Sequence, residues 1–459
     1  MSDTAVRTRE IARLAAPIVL GQVSHVLVGL ADTIMVARTG QAPLAALGLA
    51  APVFLIGFLF FSSLFQGTQT VCARRLGQER QRETGTVLSS ALLVGIVIGI
   101  PASLCGIFLP GPLMSSLGTD ATTATIATDY LQYRWGGGMW LVVLAFAFRG
   151  FYWGVGLTRV DLFVSLLFNL ANIILNWVFI FGHLGAPAMG AAGAGLASAI
   201  ANLLSVFTFF ALTMGPKMRE QYGAFRQRPH RDIAKQIVRL SAPRSMQALA
   251  FTQAIVFFKI VSDHTGQAGL AVSAVIWRFI GFTVLVSIGI GTATATLVGR
   301  ELGAGRKASA ARFGWAAVRL GVLTVAALAI VFALCREPIL RLFFSRDPGV
   351  ADASTLTSDQ LVALAVSPFL LMLAFQVIDA VGIILSRALN GAGEVMYVMY
   401  AEFAVAWGIC IPATLLGVHF LGKDDPLWGA WWGWGAYCTA WAIAMAWRWR
   451  RGSWSQIEI

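Results

Sequence analysis

Twelve apolar stretches dominate this 459-residue chain: approximately 12–37, 44–72, 86–110, 125–154, 161–182, 188–214, 237–262, 268–298, 312–335, 360–386, 397–420 and 426–448. A helix needs about 20 apolar residues to cross a bilayer's hydrocarbon core, and each stretch supplies roughly that. Irregular backbone cannot face lipid, because its amide groups would have no partner there. The two-residue alternation of a membrane barrel is absent. The fold is therefore expected to be an all-α integral membrane bundle of twelve helices. Charged residues are 12% of the chain, about half of the ~25% typical of globular domains, so soluble multidomain architectures are excluded. The basic, then apolar, amino terminus reads as a retained first helix, since its apolar run exceeds the usual h-region of a signal peptide.

Yet the net charge is +12, from 34 basic and 22 acidic residues. With the amino terminus placed inside, 25 of the basic residues fall in cytoplasmic segments and 5 in outer loops, Arg38, Arg336, Arg341, Arg346 and Lys423. That bias is the positive-inside signature. It puts both termini in the cytoplasm. It also removes any need for a nucleic-acid partner.

The chain repeats itself. Shifted by 226 residues, Thr39-Gly40-Gln41-Ala42 meets Thr265-Gly266-Gln267-Ala268, Pro17 meets Pro243, Arg74 meets Arg300, and Leu76-Gly77 meets Leu302-Gly303. After an insertion of 11 residues, Gly154-Val155-Gly156 meets Gly391-Ala392-Gly393. Ordered matches at fixed spacing indicate duplication. Six helices per copy is an even number, so the copies share one orientation. The expected organisation is a six-helix lobe at 1–215, a cytoplasmic linker at 216–236 and a second lobe at 237–459. Two lobes able to rock about a shared cavity suit a transporter. No HExxH, GxSxG or Walker A pattern is present, and the five cysteines form no CxxC pair, so neither an enzyme nor a metal centre is expected.

Polar residues inside spans are costly and mark function by default. Asp32 lies in the first helix; it could exchange a proton for a cation, or simply pair with Arg38 near the outer end. Asn169, Asn172 and Asn176 stand at i, i+3 and i+7 of the fifth helix, forming one stripe. Their carboxamide oxygens suit Na⁺, or the amides tie helices together. Asp379 sits in the tenth helix, with Arg278 or Lys259 as alternative ion-pair partners. Gln253, Arg278 and Glu402 are accessory candidates. Fifteen Trp residues are present, eight of them in 428–454, where interfacial belts are expected.

The ordered motifs resemble the MATE family of multidrug and toxic compound extrusion transporters, in a NorM-like or close branch. They are Leu-Ala-Ala-Pro17 followed by Asp32-Thr33-Ile34-Met35, Leu44 to Leu49, Arg149-Gly150 to Gly156, Asn172 to Gly182, Gly190 to Ala197, and Leu389 to Gly393. The resemblance spans nearly the whole chain. It implies a secondary antiporter that exports cationic, amphipathic compounds against Na⁺ or H⁺, with no cofactor beyond that coupling ion. Asp32, Asn172 and Asn176 match the family's first-lobe cation site, a possible Na⁺ site, and Asp379 matches an acid of the tenth helix. Asn176 stands where some relatives carry Asp. Phe251, flanked by Gln247 and Gln253, stands where a seventh-helix Glu occurs, so Asp32 is expected to carry the coupling. The partners implied are organic cations and membrane lipid, with the chain acting as a monomer. A lipid-linked oligosaccharide flippase is the rival, disfavoured because few Arg residues lie in the spans.

Overall fold

The computed structural model describes residues 3–117, 120–250, 252–346, 356–421 and 425–459; Phe251 and Lys423 lie outside them. The described residues form α-, 3₁₀- and π-helices joined by short turns, with no strand among them. In chain order the α-helices are α1 (Asp3–Ala37), α2 (Gln41–Ser62), α3 (Leu64–Gly77), α4 (Thr84–Phe108), α5 (Pro110–Ser116), α6 (Ala121–Leu131), α7 (Met139–Gly154), α8 (Thr158–Phe181), α9 (Gly190–Thr213), α10 (Pro216–Gln221), α11 (Arg231–Ala250) and α12 (Gln253–Gly303). The series continues with α13 (Lys307–Leu334), α14 (Arg336–Arg346), α15 (Ser358–Ala392), α16 (Val395–Val405), α17 (Ile411–Leu416) and α18 (Pro426–Arg451). Three π-helical segments, Gln132–Gly137, Ala406–Cys410 and Gly417–Leu421, interrupt otherwise α-helical runs.

Nine of the described helical runs are long and apolar enough to cross a membrane. The run 231–303 turns at Gly266 (φ 64°, ψ −161°) and so supplies two spans. The run α6–π–α7 and the Trp-rich α18 complete the twelve. Leu27, Leu93, Val97, Phe207, Leu323 and Ile443 are exposed, as expected of helices that are apolar on every face and bathed in lipid.

The helix ends follow local rules. Asp120 caps α6 by accepting from the Thr123 N–H at 2.9 Å. Thr357 and Gln360 form a capping box on α15. Gly182, Gly393 and Gly452 close α8, α15 and α18 in the left-handed region that glycine tolerates.

The sequence repeat is also a repeat of backbone geometry. After α3, the N–H of Arg80 donates to the Arg75 carbonyl at 2.9 Å, with Glu79 at φ 62°. The same turn recurs at the shift of 226: after α12, the N–H of Arg306 donates to the Glu301 carbonyl at 2.9 Å, with Gly305 at φ 74°. In the second register, Leu157 donates to Tyr152 at 2.8 Å past Gly156 (φ 80°), and Glu394 donates to Leu389 at 2.9 Å past Gly393 (φ 96°). The paired Leu-Gly motifs pack on each other reciprocally. A Cβ on Gly77 would strike the Arg300 carbonyl, and one on Gly303 the Arg74 carbonyl. Only glycine permits so close an approach.

Contacts divide the chain into two compact units. One holds Ala16–Met246 with Gly299–Arg306; the other holds Gln247–Val298, Lys307–Glu458 and the first turns of α1. The first unit extends past the 216–236 linker because α11 packs against α3. The Gly67 N–H donates to Ser241 Oγ at 3.3 Å, and the hydroxyls of Ser63 and Ser245 hydrogen-bond. The core of the second unit is aromatic. Phe257 contacts Trp431 and Trp434 with ring centroids 5.0 and 5.1 Å apart, and Trp277 contacts Trp434 at 4.9 Å. Trp431, Trp434, Trp441, Trp449 and Trp454 are all buried. Much of the Trp-rich end therefore serves as packing, in contrast to the interfacial belt expected, since indoles fill space between helices that small residues such as Gly433 and Gly435 bring close.

Candidate functional site

In the first unit, Asp32 of α1 is buried, 6% exposed. Asn176 Nδ2 donates to Asp32 Oδ1, and also lies 3.1 Å from Asn172 Oδ1. Asn172 Nδ2 donates to Ser198 Oγ of α9 at 3.1 Å. Arg134 Nη1 donates to the same hydroxyl at 3.0 Å and stands 3.6 Å from Asp32 Oδ2. The result is a closed circuit of five side chains from α1, the first π segment, α8 and α9. The Arg134 guanidinium lies over Phe54 at 4.6 Å and Tyr130 at 5.6 Å, so cation–π attraction offsets part of its desolvation.

Local structure explains each placement. Asn169, Asn172 and Asn176 are all buried on one face of α8, as their spacing predicted. Arg134 reaches the circuit from the π-helical segment Gln132–Gly137; π-bulges re-aim side chains and recur at functional sites. A Cβ on Gly106 of α4 would strike Trp135 and the Gly136 backbone, so this glycine lets the bulge approach. The alternative partner Arg38 is exposed; Asp32 pairs across helices instead, because Arg134 arrives from inside the bundle.

The α8 stripe continues. Asp161 and Ser165, two turns and one turn before Asn169 respectively, are buried on the same face. Arg149 Nε lies 2.8 Å from Asp161 Oδ1, and Trp153 Nε1 donates to Asp161 Oδ2 at 2.9 Å. Arg149 Nη2 donates to Ser165 Oγ at 3.1 Å and to His25 Nε2 at 2.9 Å. His25 lies seven residues, about two turns, before Asp32 on α1. The face of α8 thus links two acid–arginine stations. Between them sits Asn169, 6% exposed, neither of whose amide atoms has a hydrogen-bond partner among the described residues.

Sequence reasoning missed Arg134, Ser198, His25 and Asp161. It counted Arg149 among the cytoplasmic cations without anticipating that its side chain is 15% exposed and committed to Asp161. Arg74 and Arg387, also assigned to loops, are buried at 7% and 8% exposure. The i, i+4, i+8 spacing of Asp161, Ser165 and Asn169 was the available signal.

In the second unit, Asp379 of α15 is 7% exposed and has no ion-pair partner among the described residues. Neither alternative partner reaches it. Arg278 is exposed and lies over Phe343 at 5.6 Å, and Lys259 pairs with Asp263 one turn on. Glu402 accepts from Tyr437 Oη at 2.9 Å. Gln253 is buried, its Oε1 without a hydrogen-bond partner among the described residues.

Twelve spans built as two copies of six, with charged groups held at bilayer depth, define a multi-pass membrane transporter. The chain belongs to the MatE family, whose pattern matches residues 17–178 and again 243–416, one match in each copy. It is 28% identical to a probable multidrug resistance protein NorM of Pseudomonas aeruginosa, over 98% of this chain and 91% of that one. It is 24% identical to the multidrug resistance protein NorM of Aliivibrio fischeri, covering 94% and 92%. Among solved structures, MATE in complex with MaL6 superposes with a TM-score of 0.87 at 22% identity, covering 97% of this chain and 96% of that one. An outward-facing multidrug resistance MATE family transporter of the MOP superfamily gives 0.85 at 23%, with the same coverage.

Proposed function

We propose that the chain is a multidrug efflux antiporter of the bacterial inner membrane, with both termini cytoplasmic. It acts as a monomer and exports cationic amphipathic compounds in exchange for an entering cation. The carrying observation is the Asp32–Arg134–Ser198–Asn172–Asn176 circuit. The NorM relatives are named multidrug resistance proteins, which supports drug efflux.

The coupling ion is cargo. Asp32, Asn172 and Asn176 offer the hard oxygens that Na⁺ prefers, but Arg134 stands 3.6 Å from the same carboxylate and repels a metal ion. A proton suits this site better. It adds to an Asp32 oxygen, the ion pair dissolves, and Arg134 stays on Ser198 and its aromatic faces. When the proton leaves, the pair re-forms. Asn169 supplies further polar atoms along the α8 face toward the Asp161–Arg149 pair. The buried acid Asp379 with Glu402 provides attraction for the drug cation. Alternating access follows if proton and drug each bind the lobes' two states unequally. The flippase reading is weaker, because Arg134 and Arg149 are both committed to carboxylates and are not free for a pyrophosphate.

The test is uptake of ethidium and of a neutral dye into inverted vesicles, with Na⁺ and pH gradients imposed separately. The expected result is ethidium uptake driven by the pH gradient and lost in Asp32→Asn. Unchanged uptake by that variant would sink the scheme, and uptake driven by Na⁺ alone would overturn the choice of ion.

A further inference from the structure

α11 carries Arg231, Lys235 and Arg239 at i, i+4 and i+8, which stacks them on one face. All three are exposed, and none pairs with a carboxylate among the described residues. They line a cavity of about 400 Å³ whose other walls are Val94 of α4 and Ala234 and Val238 of α11. No acidic residue lines it. Lys235 and Arg239 also line an adjoining cavity of about 800 Å³, which holds Glu83 and Asp232. Those acids have other partners: Glu83 lies 2.6 Å from Arg80 and 3.6 Å from Arg75, and Asp232 lies 3.8 Å from His230. Neither acid forms an ion pair with the ladder, whose three cations outnumber them.

The apolar wall leads toward the membrane. Leu93 and Val97 of α4 and Val238 of α11 are exposed at 46%, 63% and 39%. The basic ladder stands at the amino-terminal end of α11, where the cytoplasmic charge excess places the membrane surface. A groove with a cationic mouth and an apolar wall at that depth fits one ligand class. Guanidinium and ammonium groups bind phosphate through charge-assisted hydrogen bonds, and an acyl chain covers Val94 and Val238. A soluble polyanion satisfies the cations but leaves the apolar wall bare.

We propose that the groove between α4 and α11 is a binding site for an anionic phospholipid, its phosphate held by Lys235 and Arg239 with Arg231 at the rim. The chain leaves the first unit at Met246, within α11, so a lipid seated here braces that helix against α4.

The test uses the full-length protein in detergent, with bound lipid counted by native mass spectrometry. Phosphatidylglycerol, phosphatidylcholine of the same chains and inorganic phosphate are titrated separately. Phosphatidylglycerol is expected to bind at least about tenfold more tightly than phosphatidylcholine. The double variant Lys235→Gln/Arg239→Gln is expected to weaken phosphatidylglycerol by roughly 30-fold, from the typical loss per basic residue at an anionic membrane surface. Arg226→Gln/Arg228→Gln removes the same charge from exposed positions outside the groove and should change binding by less than about threefold. Val238→Trp keeps every charge, fills the groove and should also expel the lipid. Equal binding of phosphatidylcholine, full displacement by inorganic phosphate, equal loss in the control double variant, or undiminished binding to Val238→Trp would each overturn the proposal. Because the readout is lipid occupancy, it is independent of the transport assay.

Discussion

The Asp32–Arg134 contact can be tested as a pair rather than residue by residue. At the observed 3.6 Å, Coulomb's law with an effective dielectric constant of 20 gives about 5 kcal/mol of attraction. Desolvation of both ions cancels much of this, so the pair's net worth is small, but removing one partner strands the other charge at a cost of about 3–5 kcal/mol. Asp32→Asn preserves shape and an acceptor for Asn176 while leaving Arg134 without its counter-ion. Arg134→Gln leaves Asp32 buried, and that group can recover by taking up a proton, so its cost should be the smaller. The double variant is neutral throughout and should regain at least about 2 kcal/mol of the summed single losses. Urea or thermal unfolding of the purified protein in one detergent, followed by tryptophan fluorescence, measures all four corners of the cycle. If the two losses add to within about 0.5 kcal/mol, the groups do not interact, and the proton-exchange scheme loses its basis. Transport provides a second readout: the double variant should refold the site yet remain unable to couple, since no titrating carboxyl is left.

Other expectations follow from the same geometry. Asn169→Leu removes two buried amide atoms that have no partner among the described residues, so stability should hold or rise by about 1 kcal/mol. Pathway function predicts that proton-driven export nevertheless falls; unchanged export would return Asn169 to packing. Asp161→Ala strands Arg149 and should cost about 3–5 kcal/mol, with Arg149→Met in the same chain restoring most of it. Absence of any loss in the single variant would refute the Asp161–Arg149 ion pair. Glu79 is exposed and left-handed at φ 62° where the repeat has Gly305 at φ 74°. Glu79→Gly should therefore stabilise by about 1 kcal/mol, read as a higher unfolding midpoint, and a lower midpoint would contradict the strain argument.

The helical plan was legible because it rests on one-dimensional quantities. Span length and the 226- and 237-residue registers are properties of sequence position alone, and the described backbone repeats its turns in those registers. The α8 stripe was legible for the same reason, since helical periodicity assigns Asn169, Asn172 and Asn176 to one face without knowledge of neighbours. What sits opposite that face was not. Arg134 is 102 residues from Asp32 in the chain, and its direction depends on a π-helical turn that composition does not announce. The Asp161–Arg149 pair was hidden because Arg149 resembles one more loop cation until Asp161 is seen 2.8 Å away.

The charge excess shows the division most directly. Sequence alone made the basic residues a topology signal and isolated the acids left within the spans. Tertiary structure decided which cations belong to those acids. It drew Arg134 and Arg149 out of the general count and bound each to a carboxylate, and it left Arg231, Lys235 and Arg239 on an open groove. The physical reason is that lipid exposure and loop charge are set residue by residue, whereas an ion pair at bilayer depth exists only where two helices bring opposite charges within a few ångströms.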